Sequence, residues 1–353
     1  MYKRQLFDSI DCLEAGESLD RQTLTALIEG RNEKLAGYLF GKAARMREKY
    51  YGNRIYIRGL IEFTNYCKND CYYCGIRKGN RRAERYRLGR EEIMECCRKG
   101  YALGFRTFVL QGGEDPWYTD DRIAELVMSI KKEYSDCAVT LSVGEKERES
   151  YQRFFDAGAD RYLLRHETVC EEHYGTLHPP SMSYAHRQEC LRNLKNIGFQ
   201  TGCGFMVGTP GQTPENLADE LMFLKDFQPA MVGIGPFIPH RDTPFGNKAP
   251  GSAELTLYLL GLIRLLLPKV LLPATTALGT IAGDGRERGI LAGANVVMPN
   301  LSASLVQGKY ELYDHKIYTG AENAAELELL RSRMEKIGCE VTVDRGDTKM
   351  ETR

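Results

Sequence analysis

Three cysteines, Cys67, Cys71 and Cys74, stand in the run IEFTNYCKNDCYYCGIRKGN with the spacing C-x3-C-x2-C. Thiolates grouped in this way select iron–sulfur clusters or zinc. The number of ligands is informative. A structural zinc site is closed by four protein ligands, and no histidine occurs before His166. Three thiolates on a 4Fe–4S cube leave one iron open to an outside ligand. A zinc knuckle completed by a distant fourth ligand is the competing reading. Tyr73, directly before the last cysteine, is placed to shield a cluster from solvent and so tune its potential. The chain has 11 cysteines, an odd count, and no export signal, so disulfides are not expected. Cys96 and Cys97 occupy adjacent helical positions, about 100° apart, and read as packing thiols.

Such a loop needs rigid elements on either side. From residue 53 onward, β-rich runs alternate with helical stretches, with strands expected at 55–65, 105–112, 138–144, 160–167, 200–207, 231–237, 271–277 and 294–299. REEIMECCRKGYALG and AELTLYLLGLIRLLL are two of the helical patterns between them. This alternation requires a parallel sheet with crossover helices. Eight such units close most naturally into a complete α/β (β/α)8 barrel of the TIM type, because closure removes the sheet edges. An open doubly wound sheet would carry a glycine-rich phosphate turn after its first strand, whereas here the first strand runs into cysteines. The expected organisation is an N-terminal helical extension at 1–52, the barrel at 53–305, and a C-terminal helix and tail at 306–353. In the extension, Leu24, Leu27, Ile28, Leu35 and Leu39 recur at helical spacing, with Ser18 and Thr23 as candidate caps. AENAAELELLRSRMEKIG reads as one amphipathic helix, and VTVDRGDTKMETR as a short strand-like piece with a charged tail.

The chain balances 48 basic against 48 acidic residues, so it has no field with which to attract nucleic acid. The apolar stretch LYLLGLIRLLLPKVLL is broken by Arg264, Pro268 and Lys269, short of the roughly 20 apolar residues that a bilayer span needs. With no apolar leader near the start, the expectation is a cytoplasmic protein with no membrane partner.

Barrel enzymes keep their chemistry at the C-terminal ends of the strands, and further groups collect there. QGGED places a glycine turn where backbone can approach a ligand closely. AVTLSVG puts Thr140, Ser142 and Gly144 on one face and Leu141 and Val143 on the other. Small polar groups directed inward suit an open, ligand-holding lumen; a water-bound polar layer explains them equally well. In RYLLRHET, Arg165 and Glu167 share a face and His166 points away. Charges inside a barrel need partners, here either a ligand or the strand-one residues Arg58 and Glu62. Thr275 and Thr276 offer hydroxyls at the lumen mouth, although paired threonines are common in strands. His240, on a proline-flanked loop, reads equally as a structural histidine.

The cysteine spacing, with an aromatic before the final cysteine, is similar to that of the radical S-adenosylmethionine (SAM) superfamily. QGGEDPW, RYLLRHET, GFMVGTPGQT, MVGIGPFIPHRDTPF, LPATTALGT and GANVVMPN together resemble the HydE-type maturases of FeFe-hydrogenase, over most of residues 50–313. The resemblance implies one 4Fe–4S cluster on Cys67, Cys71 and Cys74, with SAM on the open iron. Reduction of SAM would break its C5′–S bond and release a 5′-deoxyadenosyl radical in a dry cavity. It implies SAM contacts from Tyr73, from the turn of Gln111, Gly112, Gly113 and Glu114, and from Thr140, Ser142, Glu167 and Met206. Arg187 matches the family's carboxylate-binding arginine, with His186 leaving that register open by one residue; alone, Arg187 would read as solvated helix surface. The substrate end falls to Arg165, Thr275, Thr276, Met298 and Tyr310. Some members carry a further cysteine cluster near the C-terminus. The corresponding YELYDHKIYTGAENAAEL has no cysteine, so a second cluster is not expected.

The activity implied is that of a maturase acting on a small cysteine-bound iron carbonyl–cyanide precursor during assembly of the hydrogenase di-iron centre. Other maturases and an electron donor would be transient partners of a monomer. A mutase similar to methylornithine synthase and a non-catalytic iron–sulfur or zinc scaffold are the alternatives.

Overall fold

The computed structural model describes residues 3–320 and 323–350. In chain order its strands are β1 (Arg54–Ile57), β2 (Gly59–Thr64), β3 (Thr107–Gly112), β4 (Ala138–Ser142), β5 (Arg161–Leu163), β6 (Gln200–Cys203), β7 (Met206–Val207), β8 (Met231–Val232), β9 (Gly235–Pro236), β10 (Val296–Val297) and β11 (Glu340–Thr342). The order β2-β3-β4-β5-β6-β8 forms one parallel sheet, β7 pairs with β9, and β10 and β11 flank β1. Parallel bridges Met231↔Leu271, Pro273↔Val296 and Leu60↔Asn300 carry the pairing from β8 through residues 271–273 to β10 and back to β2. The chain is thus an α/β protein with its strands arranged as a TIM-type barrel. β2 is buried along its whole length, as expected for a strand covered on both faces.

The expected strands are in place, but several are shorter or broken. The first divides at Arg58 into β1 and β2, the fifth into β6 and β7, and the sixth into β8 and β9. The seventh, expected over 271–277, pairs only through Leu271 and Pro273. Proline has no N–H to give a ladder, and the chain enters the helix Thr276–Ile281 at once. The fourth ends at Leu163, so Arg165 and Glu167 lie beyond it, and Glu167 has a left-handed backbone with φ 66°.

The N-terminal segment forms three helices, Lys3–Glu14, Arg21–Glu29 and Glu33–Tyr51. Their caps differ from expectation: Asp20 accepts from the Thr23 N–H at 2.8 Å, and Asn32 accepts from Leu35 N–H, so neither Ser18 nor Thr23 serves as the cap. The five leucine and isoleucine positions read as its apolar face are all buried. Of the C-terminal amphipathic stretch, residues 321 and 322 lie outside the described residues; a 3-10 turn Ala324–Glu326 leads into the helix Leu327–Glu335.

The strand-like piece that follows is β11, and the tail after it seals the barrel floor. Arg161, 1% exposed, donates to Asp347 Oδ1 at 2.6 Å and to the Arg345 carbonyl at 2.8 Å. Arg345 in turn reaches Asp160 Oδ1 at 2.8 Å. A buried guanidinium needs this counter-charge. Among the described residues, no helix is long and apolar enough to cross a membrane.

Candidate active site

The cysteine loop leaves β2 and is fastened from several directions. Lys68 N–H donates to the Glu114 carbonyl at 2.9 Å, Tyr72 N–H to Leu177 at 3.0 Å, and Gly75 N–H to Leu312 at 2.8 Å. Arg85 supplies the central staple, donating to the carbonyls of Asn65, Ile76, Arg77 and Asn80. Sequence reading missed Arg85, because a guanidinium that satisfies loop carbonyls has no local motif. The three thiols, each half-buried, are brought together at the cavity. Burial raises the pKa of all three; Cys74 is pushed up to about 12 by burial and then by Cys67, while Cys71 is raised further by Cys74 and Cys67. Neutral and mutually repelling as thiolates, they suit a metal that displaces their protons.

Tyr73, between two of the cysteines, donates to His178 Nε2 at 3.1 Å. His178 Nδ1 donates to the Tyr174 carbonyl at 3.1 Å, which fixes the tautomer and leaves Nε2 as acceptor. Nothing in the local pattern singled out His178.

A cavity of about 330 Å³ opens beneath the loop. Cys67, Cys71, Tyr73 and Cys74 line one end, with Gln111, Gly112, Gly113 and Glu114 from the end of β3. Ser142, Arg165, Glu167, Arg187 and Met206 form the wall from β4 to β7, and Thr275, Thr276, Met298, Tyr310 and Tyr313 the remainder. Thr140 differs from expectation. It is fully buried below Ser142, level with Val109 and Arg161, and does not line the cavity. Cys203, whose side was open, packs in the core, and Cys96 and Cys97 are buried there as well. His240 is a buried loop residue whose Nδ1 accepts from Asp242 N–H at 3.1 Å.

Two glycines are needed for close approach. A Cβ on Gly113 would lie 2.2 Å from the Tyr66 carbonyl and 2.8 Å from Cys67 Cβ. Gly144, at φ +80°, passes so close to Glu114 that a Cβ would lie 2.1 Å from its Cγ. Glu114 thereby reaches under the neighbouring strand end, where Oε1 accepts from Glu145 N–H at 3.1 Å and Oε2 lies 3.3 Å from Lys68 Nζ.

From the helix Tyr184–Ile197, Arg187 lines the cavity and His186 does not. Arg187 is buried and donates to Glu145 Oε1 and, at 3.0 Å, to the Arg165 carbonyl, whereas His186 is half-buried with its Nε2 3.6 Å from Cys190 Sγ. Glu145 is a partner that sequence reading missed. Arg165 and Glu167 meet each other at 3.4 Å rather than the strand-one charges considered for them. Glu62 instead holds Lys316, and Arg58 faces the barrel floor, where it donates to the Gly346 carbonyl at 3.5 Å.

His166 points away from the cavity, as its alternation implied. It donates from Nε2 to Glu220 Oε2 at 2.6 Å, both side chains being fully buried. Glu220 Oε1 also accepts from Val169 N–H at 2.7 Å, and His166 Nδ1 accepts from Gly204 N–H at 3.3 Å. This pair clamps the chain on both sides of the left-handed Glu167.

The cavity is not self-satisfied. Arg165 Nε and Thr275 Oγ1 are buried with no hydrogen-bond partner among the described residues, and Arg165 Nη2 and Glu167 Oε2 have only their ion pair with each other at 3.4 Å. Buried polar atoms are normally paired, so this set fits a polar, zwitterionic ligand. Three cysteines and a glycine cradle at its head fit a cluster with one open iron. These features define a class: the protein is a radical SAM enzyme. The family model described as "Radical SAM superfamily" matches residues 61–224. The [FeFe] hydrogenase maturase subunit HydE of Thermotoga maritima is 43% identical over 99% of this chain and 98% of its own length. The 3-methylornithine synthase of Methanosarcina acetivorans is 32% identical over 92% of this chain and 91% of its own. The crystal structure of methylornithine synthase superposes with a TM-score of 0.84 at 28% identity, covering 94% of this chain and 97% of that one. Within the radical SAM superfamily, the chain belongs to the family of HydE. Membership implies a 4Fe–4S cluster and SAM, and sets aside the non-catalytic scaffold.

Proposed function

We propose that this chain is an FeFe-hydrogenase maturase that acts on a small cysteine-bound iron carbonyl–cyanide precursor of the di-iron centre. The supporting observation is a cavity lined by the three cysteines and by unsatisfied polar groups, in a chain 43% identical to HydE over nearly its whole length. Cys67, Cys71 and Cys74 would hold a single 4Fe–4S cluster, which would supply the electron for reductive cleavage of bound SAM to a 5′-deoxyadenosyl radical. The chain's own residues bind, orient and exclude water. The Gln111–Glu114 turn takes the amino group of SAM, Arg187 its carboxylate and Glu167 its ribose or amino group, while Tyr73, Ser142 and Met206 close around it. Arg165, Thr275, Thr276, Met298 and Tyr310 face the substrate. The protein works as a monomer in the cytoplasm, meeting other maturases and an electron donor transiently.

The deciding experiment is activation of apo-hydrogenase by the anaerobically reconstituted protein with SAM, reductant and its partner maturases. Protein that forms 5′-deoxyadenosine yet supports no activation overturns the reading. A second reading, an amino-acid mutase, is favoured by the structural similarity to methylornithine synthase across 94% of the chain. Conversion of L-lysine to 3-methylornithine would establish it.

A further inference from the structure

The β2 wall of the chamber carries a charge pair that neither the cysteine loop nor the SAM-facing residues use. Glu62 is completely buried, level with Gln111 and, through it, with Ser142. Its Oε2 accepts from Asn300 Nδ2 at 2.8 Å, and its Oε1 holds the ammonium of Lys316. Lys316 comes from the segment that crosses the barrel mouth after Tyr310. Its side chain is 8% exposed and lines the chamber. Nζ also donates to the Tyr310 carbonyl at 2.9 Å and lies 4.9 Å from the centre of the Tyr310 ring.

An ammonium has three N–H donors. Glu62 and the Tyr310 carbonyl take two, which leaves the third for the chamber. If the pair only closed the wall, apolar residues of the same volume would serve as well or better, since burying two charges costs more than it commonly returns. A lysine held rigid by a buried carboxylate, with one donor over, is instead suited to gripping an anion out of water. Arg165, three strands round the ring, is another cation of the chamber, with its Nε donor unsatisfied. The chamber therefore meets its ligand with positive groups on two separate walls.

We propose that Lys316 is the anchor for a negatively charged group of the substrate, and that Glu62 positions it. The group is either a carboxylate or an anionic ligand carried on a metal. This proposal rests on reading the cavity as the substrate chamber of a radical SAM enzyme.

The test uses the full chain, reconstituted with its cluster and saturated with SAM, titrated calorimetrically with formate as a bare carboxylate and with cyanate as a linear metal-ligand-like anion. Tighter binding of one over the other identifies the source of the charge. Lys316→Met should weaken binding of the preferred anion by roughly tenfold or more, and Lys316→Arg should recover most of it, as expected for a charge-assisted contact. Glu62→Gln keeps the shape and the Asn300 contact but removes the competing carboxylate, so it should tighten anion binding several-fold. A purely structural pair would not produce these opposite signs. Iron content and melting temperature report whether each variant is folded; if Lys316→Met is not, Glu62→Gln decides alone. The same affinity in wild type and Lys316→Met, no anion binding by the wild type, or unchanged or weaker binding by Glu62→Gln overturns the proposal. Failure to activate hydrogenase with these anion effects intact would count against the proposed function only.

Discussion

Arg187 Nε lies 2.5 Å from Glu145 Oε1, so the arginine proposed to meet the SAM carboxylate is already held by a carboxylate of its own chain. Glu145 orients the guanidinium and leaves other donors free, since Arg has five. Arg187→Lys loses the fork geometry. It should weaken SAM binding by roughly 30- to 100-fold, at the lower end of the range for truncating one partner of a buried charge pair. Glu145→Gln should have a smaller effect in the same direction. Calorimetric titration of the reconstituted protein with SAM reads both, and unchanged affinity in Arg187→Lys would remove this residue from the SAM site.

Gly113→Ala tests the cradle. The new methyl cannot share space with the Tyr66 carbonyl at 2.2 Å, and backbone cannot yield as a flexible side chain would. The cysteine loop must shift, so iron incorporation should fall sharply while the barrel remains folded. Iron analysis and circular dichroism separate the two effects; full iron loading would show that the loop tolerates the displacement.

His178 gives a pH signature. Burial, then the nearby Arg187 charge, lowers its pKa to about 3, so it is neutral in the fold. In the unfolded chain it titrates at about 6.5. Its neutral form therefore supports the fold fully above about pH 6.5, and that support is lost as pH falls from there toward 3. The slope is about 1.4 kcal/mol per pH unit. His178→Phe should flatten the fall in urea midpoint between pH 7 and 5, even though it leaves the Tyr73 hydroxyl without its acceptor and lowers stability overall, by about 1–3 kcal/mol. An unchanged slope would mean that His178 protonates without unfolding.

Glu220→Ala removes the acceptor for both His166 and the Val169 N–H. Stranding these buried donors should cost about 1–3 kcal/mol each. Because the clamp flanks Glu167, the KM for SAM should rise more than kcat falls. Equal loss of both would assign Glu220 to the fold alone.

Much of the site was legible because its chemistry is written locally. The cysteine spacing, the glycine turn at 112–113 and the alternation through Arg165, His166 and Glu167 each depend on neighbours in sequence. What escaped depends on long-range pairing. Glu145, Arg85 and Lys316 are ordinary surface types until the fold buries them against particular partners, and no periodicity marks that. Thr140 was misplaced because alternation gives a side chain's face but not its depth in the barrel. The seventh strand was overextended because two threonines favour β structure, whereas Pro273 and the following helix limit it to two bridges. The one available signal for the Lys316 pair was Glu62 itself, a lone charge inside the apolar run LIEF.

The place of β11 bears on how the molecule is made. Arg54 lies opposite Glu340, so the first strand acquires this neighbour only after 286 further residues have been synthesised (340 minus 54). Contacts this distant in sequence form late. A nascent chain would carry its cysteines, and most of its barrel wall, into solution while the floor was still open. A tag or fusion at the carboxyl end should then interfere less with the mouth, where the chemistry lies, than with the last step of closure.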